Sequence, residues 1–188
     1  MNKNIGICVA AMTLSFASVA MADSEWGIFG SVWNAADGDT GVGGGVKVGI
    51  EMVERVQLDL RYSAVNNLID TDRADLDVQP LEFGLLYSIP AGDTIEPYIG
   101  VGGGYYLMDG DVQGFDVEVD DEFGFYISTG LEIILSRSKA QYGQTTTKLF
   151  LEAMYRFVEA SDMKVSNGNL DDADLSGLGA QAGLLIGW

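Results

Sequence analysis

The stretch that decides the fold is LSGLGAQAGLLIGW, residues 175–188. From Leu178 to Trp188 an apolar side chain occupies every second position, and three of the five positions between them are glycine. A period of two indicates a β-strand that has one apolar face. Because chain ends are usually polar and loosely held, this alternation predicts an end that is held within a sheet.

The same alternation recurs along the rest of the chain, as in VQLDLRYSA (56–64) and LEFGLLYSI (81–89). It predicts an all-β fold of eight antiparallel, up-and-down strands. Short turns are expected at 52–55 and 90–94, and longer polar loops on the other side. The segment SRSKAQYGQTTT (136–147) departs from this scheme, because it is long where a short turn is expected. The predicted strands lie near 25–33, 41–51, 56–65, 79–89, 95–108, 122–135, 147–158 and 175–188.

The first 22 residues, MNKNIGICVAAMTLSFASVAMA, have the features of a secretory signal peptide. Lys3 supplies a positive charge, an uncharged apolar run follows, and Ala20-Met21-Ala22 matches a cleavage site. We therefore predict a cleaved signal peptide at 1–22 and a single domain at 23–188. Cys8, the one cysteine, would be removed with the signal peptide, so we expect no disulfide.

The chain is strongly acidic, with 28 Asp and Glu, 10 Lys and Arg, no His and a net charge of −18. Nucleic-acid binding is disfavoured, because phosphates are bound by Lys and Arg.

Alternation alone does not decide which way the apolar face points. A soluble barrel turns that face inward, whereas a membrane barrel turns it towards lipid. Here the polar face is rich in glycine and serine, which suits the narrow interior of an eight-stranded barrel. The large side chains on this face carry charges of both signs, and a buried charge is costly unless it is paired. We therefore predict a lumen charge network of Lys47, Glu51, Asp59, Arg61, Glu82, Glu96, Glu132, Lys148, Glu152 and Arg156.

Aromatic residues of the apolar face cluster near the ends of the predicted strands. Two such levels are typical of the two interfaces of a membrane, where an aromatic ring has one wet and one apolar side. A transmembrane barrel must also close on itself, since an unpaired strand edge is too costly in lipid. The predicted aromatic girdle consists of Trp26, Tyr87 and Trp188 at one level and Tyr62, Tyr105, Phe123, Phe125, Tyr155 and Phe157 at the other.

The signal peptide, the eight alternating strands and the terminal LLIGW resemble the small bacterial outer-membrane β-barrels of the OmpA, OmpX and OmpW type. The resemblance implies an eight-stranded transmembrane β-barrel in the outer membrane, with membrane lipids and lipopolysaccharide around it. It also implies that Leu184, Ile186 and Trp188 act as the signal read by the outer-membrane assembly machinery. The usual last residue of that signal is Phe, so Trp188 is a less common variant.

Catalytic motifs are scarce in the chain, and we expect no enzymatic activity. Enzymes of this structural class that act on lipids or peptides use a histidine base, which this chain lacks. A hydrolase that uses only the carboxylates of Glu132 and Glu152 is conceivable, but an ion-pair network explains the same residues.

The predicted outer segments, 37–39, 66–78, 109–122 and 159–174, hold 18 acids and two bases. They are either solvated loops that resist aggregation or sites for divalent cations, because Ca²⁺ takes six to eight oxygen ligands. The spacing does not match an EF-hand, and no cofactor other than such cations is expected. The candidate cation ligands are Asp109, Asp111, Asp171, Asp172 and Asp174.

The leading hypothesis is a non-enzymatic, monomeric outer-membrane barrel with a structural role in the envelope, a role in surface interaction through its acidic loops, or both. One alternative is a narrow pore or a conduit for small solutes. Another is a soluble periplasmic barrel that binds a ligand. The charged residues predict a filled lumen. Four apolar residues are also expected to face inward, where they would either help to fill the lumen or line an apolar pocket: Leu86, Phe150, Met154 and Leu185.

Overall fold

A computed structural model describes residues 24–36, 39–71, 74–112, 115–117, 121–140, 143–160, 164–165, 168–169 and 173–188. The predicted signal peptide at 1–22 and the candidate ligands Asp171 and Asp172 lie outside these residues. Within them, no helix is long and apolar enough to cross a membrane.

Eight long strands form the fold, and each pairs antiparallel with the next along the chain. The last strand pairs with the first, so the sheet closes into a barrel. The predicted eight-stranded, antiparallel, all-β fold is thereby confirmed. The strands are β1 (Ser24–Ala35), β2 (Thr40–Val53), β3 (Val56–Thr71), β4 (Ala74–Ser88), β5 (Ile95–Val112), β6 (Glu122–Ala140), β7 (Gly143–Phe157) and β8 (Gly177–Gly187).

Closure runs along the whole length of β1 and β8, from Glu25 opposite Gly187 to Ala35 opposite Gly177. Beyond the last pair, the Trp188 amide donates to the Ser24 carbonyl oxygen at 3.1 Å, and the Ser24 amide donates to the Trp188 carbonyl oxygen at 3.3 Å. The final residue is therefore held by the sheet, as the alternation up to Trp188 predicts.

The barrel has two different ends. The turn end carries Ser24, Trp188 and the short turns at 54–55 and 89–94. Arg55 has a φ of 71°, which lets the chain reverse tightly there. The loop end carries the longer connections, where short paired strands lie at Phe115–Val117, Glu159–Ala160, Lys164–Val165, Gly168–Asn169 and Ala173–Asp174.

Two expectations about connections are wrong. Most of the predicted loop 66–78 is strand, because β3 and β4 stay paired up to Thr71 opposite Ala74. The predicted long connection at 136–147 is a continuation of the β6–β7 hairpin, paired from Ser136 opposite Thr147 to Ala140 opposite Gly143. In 66–78 the alternation is inverted, because Leu76 and Val78 are buried inside the barrel whereas Leu81 and Phe83 are exposed outside. The segment 136–147 has no apolar face, so neither segment shows the pattern of the other strands. Backbone hydrogen bonding and the β-propensity of threonine are enough to extend the ladder.

The pleat sorts side chains between the lumen and the outer wall. On β1, Glu25, Phe29 and Trp33 are buried in the lumen, whereas Trp26 and Ile28 are exposed on the outer wall. Glycine is required where bulky lumen side chains press against the wall. A Cβ on Gly183 would lie 2.7 Å from the Phe150 ring, and one on Gly84 would lie 2.3 Å from the Tyr126 hydroxyl.

Candidate functional site in the barrel lumen

Arg61 is the centre of the lumen network. Its guanidinium forms ion pairs with Asp59 beside it on β3 and with Glu152 across the lumen on β7. It also donates to the Gln181 side-chain oxygen at 3.2 Å and lies 5.3 Å from the centre of the Tyr126 ring. Since Arg61, Asp59 and Glu152 are all buried, these contacts provide the pairing that buried charges need.

A second buried pair joins Arg156 on β7 to Glu82 on β4. The contact is bidentate, with Nε to Oε1 at 2.8 Å and Nη2 to Oε2 at 3.2 Å. The Tyr106 hydroxyl donates to Glu82 Oε1 at 3.0 Å, and the guanidinium lies 4.6 Å from the Trp33 ring. Bidentate geometry and a cation–π contact both strengthen this pair.

Lys47 is the third buried cation. Its Nζ lies 3.5 Å from Asp59 Oδ1 and faces the Phe150 and Tyr98 rings at 4.8 and 5.3 Å. The Tyr98 hydroxyl donates to Glu152 Oε2 at 2.9 Å and so links this region to the Arg61 cluster. The three cations of the middle lumen thus lie among three carboxylates, and their charges balance.

Near the turn end, Lys148 is surrounded by three carboxylates. Its Nζ lies 2.7 Å from Glu132, 3.1 Å from Glu25 and 3.3 Å from Glu96. Gln57 donates to Glu25 at 2.8 Å. This cluster carries more negative than positive charge and borders a cavity of about 460 Å³, which we call the turn-end cavity.

At the loop end, the lumen filling changes from charged to apolar. Ten buried residues, contributed by β1, β3, β4, β5 and the flanks of β7 and β8, form one cluster that we call the cap. The cap consists of Trp33, Ala35, Val65, Leu68, Leu76, Val78, Tyr106, Met108, Val158 and Leu175.

Nine of the ten residues proposed for the lumen network take part in the ion pairs above. Glu51 lies apart, on the wall of the turn-end cavity. Sequence reasoning missed Glu25 and the inward tyrosines Tyr98, Tyr106 and Tyr126. The alternation along each strand could have identified them. Glu25 is next to the outward Trp26 and so faces inward, and Tyr98 and Tyr106 are an even number of positions from the inward Glu96.

The residues proposed for the aromatic girdle all lie on the outer wall and are exposed there. Tyr105 lies opposite Phe123, and Phe125 lies opposite Phe157, so rings on β5, β6 and β7 form a continuous patch towards the loop end. The three residues of the proposed assembly signal also face outward; they are Leu184, Ile186 and Trp188.

The inward apolar residues do not share one pocket. Phe150 and Leu185 pack with Phe29, whose ring centre lies 6.1 Å from that of Phe150. Met154 accepts a hydrogen bond from Gln181 at 3.3 Å. Leu86 instead lines the turn-end cavity. Three of the four residues therefore help to fill the lumen, which is one of the two uses predicted for them, and Leu86 alone of the four lines the turn-end cavity.

The candidate cation ligands lie at the loop end. Asp109 and Asp174 are exposed, and Asp111 is placed by its backbone on β5. The Asp174 carboxylate accepts the Ser176 amide at 2.8 Å, and hydrogen bonding by Ser176 lowers the pKa of Asp174. Among the described residues, no group of three or more His, Cys, Asp and Glu is arranged to hold a metal ion.

The chain belongs to the outer membrane protein β-barrel domain family, whose model matches residues 7–184. None of the curated proteins matches it. Its fold is similar to that of Neisserial surface protein A, with 12% identity, a TM-score of 0.65 and coverage of 87% of this chain and 95% of that one. It is also similar to the N-terminal barrel of Pseudomonas aeruginosa OprF, with 14% identity, a TM-score of 0.56 and coverage of 89% and 98%. A third similar structure is Ail, the attachment invasion locus protein of Yersinia pestis, with 11% identity, a TM-score of 0.52 and coverage of 89% and 99%.

Membership of this family locates the chain in the outer membrane. Barrels of this type have short periplasmic turns and longer extracellular loops. The turn end is accordingly the periplasmic end, and the loop end is the extracellular one.

Proposed function

We propose that this protein is a non-enzymatic barrel with a closed lumen, which supports the outer membrane and interacts with the cell's surroundings through its acidic extracellular segments. Its partners are outer-membrane lipids and lipopolysaccharide. Residues 1–22 direct export, and the C-terminal Leu184, Ile186 and Trp188 are read by the assembly machinery.

The observation that carries this proposal is the filling of the lumen. The Arg61 and Arg156 pairs cross the barrel interior, and the cap lies beyond them towards the loop end. An eight-stranded interior is just wide enough for side chains to fill it. A lumen filled in this way favours a structural role over a solute conduit.

The absence of enzymatic activity is proposed from the same contacts. Of the two carboxylates that a carboxylate-only hydrolase would use, Glu152 is engaged by Arg61 and Tyr98 and Glu132 is engaged by Lys148, and the chain has no histidine that would act as a base. A general acid or base must reach its substrate, and both carboxylates are buried.

Planar-bilayer conductance tests the closed lumen. The intact refolded barrel should be silent, whereas Glu152→Gln should flicker because Arg61 loses its main partner across the lumen. Glu159→Gln, at an exposed loop-end position, is the matched control and should stay silent. Steady current steps in the intact barrel would overturn the proposal in favour of a conduit.

We propose further that the extracellular segments bind divalent cations. The backbone register supports this, because Asp70, Asp75, Asp111 and Asp116 occupy directly opposed positions across four neighbouring strands. Like charges directly opposite one another destabilise a sheet, and a divalent cation that takes oxygen ligands would offset this repulsion.

Calcium titration tests the cation proposal. Millimolar Ca²⁺ should raise the melting temperature of the refolded barrel and protect its loop end from proteolysis. The double variant Asp75→Asn, Asp111→Asn should show neither effect while its barrel still migrates as folded on unheated gels. A titration that changes neither melting nor proteolysis of the intact protein would refute the proposal.

A further inference from the structure

The turn-end cavity opens towards the periplasm and is closed on the side of the middle lumen. Its volume of about 460 Å³ lies within the range of about 300–1,000 Å³ that is usual for small-molecule sites. Leu86 and Tyr98 line its inner part, and the packed Phe29, Phe150 and Leu185 lie in the lumen beyond. A molecule that entered from the periplasm would therefore stop in the cavity.

The inner part of the cavity has an excess of negative charge. Glu25, Glu96 and Glu132 converge on the single ammonium group of Lys148, and Glu51 also lies on the wall. Glu25 and Glu132 are buried, so bulk solvent screens them only weakly. Lys148 occupies the point between these three carboxylates, at 2.7 to 3.3 Å from each, and of the three only Glu96 is partly exposed to the cavity.

The mouth of the cavity carries Arg137 and Arg55, and Arg55 is paired with Glu54 at 3.5 Å, so Arg137 supplies the net positive charge there. Arg137, on the extended part of β6, is exposed, and Arg55 lies on the turn between β2 and β3. Arg137 uses one guanidinium nitrogen to donate to the Asp93 carbonyl oxygen at 2.9 Å. A guanidinium has five N–H donors, so this contact leaves Arg137 donors for a second acceptor.

The unusual length of the β6–β7 hairpin also bears on this site. Arg137, Gln144 and Thr146 all line the cavity and all belong to the segment that runs past the ordinary turn position. The hairpin therefore deepens the cavity on one side and places a cation at its mouth. A short turn, which is usual in such barrels, would not supply this wall.

We propose that the turn-end cavity binds short peptides that have a free N-terminus, with the peptide ammonium at Glu96, the partly exposed carboxylate of the Lys148 cluster, and the peptide carboxylate at Arg137. The separation of charge selects for this class of ligand. An anion alone would be repelled by the inner carboxylates, and an apolar molecule would find a wall that is mostly polar and charged. The site is independent of the surface role proposed for the opposite end of the barrel.

Isothermal titration calorimetry on the refolded barrel in micelles tests this proposal with trialanine as the probe. Trialanine should bind saturably. N-acetyl-trialanine, which lacks the ammonium, should bind at least about 10-fold more weakly, because it loses its charge-assisted hydrogen bonds. Trialanine amide, which lacks the carboxylate, should bind several-fold more weakly.

Variants assign each end of the peptide to its residues. Glu96→Gln should weaken trialanine binding and leave the weak binding of the N-acetyl form unchanged. Arg137→Gln should remove the difference between trialanine and its amide. Glu159→Gln, at the loop end, is the matched control and should bind like the intact barrel.

Gel migration before and after heating establishes that each variant is folded. The proposal is overturned if the intact barrel does not bind trialanine saturably, or if N-acetylation leaves the affinity unchanged. Conductance and the Ca²⁺ response are measured in separate experiments. A negative result for trialanine binding therefore does not bear on the closed-lumen proposal.

Discussion

The cap and the ion-paired middle of the lumen lie in one barrel and are built on the same strands, yet they have opposite polarity. On β5, Val101 faces outward in the apolar band and Gly102 faces the charged lumen. Further along the same strand, Met108 lies on the inward face and is buried in the cap, whereas Asp109 lies on the outward face and is exposed. The polarity of the two faces is exchanged between these positions, near the outward Tyr105.

The medium around the barrel explains this exchange. Where lipid surrounds the wall, apolar side chains face outward and polar groups pair inside. Where water surrounds it, burial of apolar side chains inside the barrel is favourable. The cap therefore has the organisation of a soluble barrel placed on top of a membrane barrel. Four predictions test this contrast, from the largest expected effect to the smallest.

Removal of the central cation should have the largest effect. Arg61→Met leaves Asp59 and Glu152 buried without their main partner, and a broken buried pair costs about 3–5 kcal/mol. Urea unfolding followed by tryptophan fluorescence measures this loss. The triple variant Arg61→Met, Asp59→Asn, Glu152→Gln should recover part of it. A loss below about 1 kcal/mol in the single variant would mean that water hydrates these charges.

Shortening a leucine to alanine should reduce the free energy of unfolding more in the cap than on the outer wall. Leu68→Ala leaves a cavity in the fully buried cap and should cost about 3 kcal/mol. Leu85→Ala, on the outer wall, should cost less than half as much, because lipid or detergent chains fill the space. Equal losses in urea unfolding would show that the cap is not a packed core.

A cation placed on the outer face of β5 should locate the boundary of the membrane. Val101→Arg puts a charge in the apolar band and should cost about 2–4 kcal/mol. Asp109→Arg, on the same face and strand, should change stability by less than about 0.5 kcal/mol. Unfolding from lipid vesicles measures both variants. Similar costs would place Asp109 inside the membrane.

The smallest expected effect is that of one lumen hydroxyl. Tyr98→Phe removes the 2.9 Å hydrogen bond to Glu152, and a hydrogen bond to a charged group contributes about 1.5–3 kcal/mol. Because Arg61 still engages Glu152, we expect a loss near the lower limit. Tyr87→Phe, on the exposed outer wall, is the control. A loss no greater than that of the control would mean that Arg61 alone satisfies Glu152.

Much of this architecture could be predicted from alternation. The eight strands, the closure of β8 on β1 and the inward parity of residues such as Arg61 and Glu152 follow from a period of two. The extended pairing beyond Leu135 could not be predicted, because that segment is polar on both faces. Beyond Val65 the short apolar alternation, as at Leu76 and Val78, has the opposite phase to the rest of the sheet. The cap also escaped prediction, since Leu68 and Val78 lie in segments that read as acidic loops.

The sequence by itself determined the class of fold and the inward or outward face of most strand residues, because the pleat sets side-chain direction at each position. Only the tertiary structure decided which charges meet. Arg61 and Glu152 are 91 positions apart, and their contact depends on barrel closure and strand register. The tertiary structure also decided that four strand ends and two flanking segments enclose the cap, because such a core arises only when residues distant in sequence pack together.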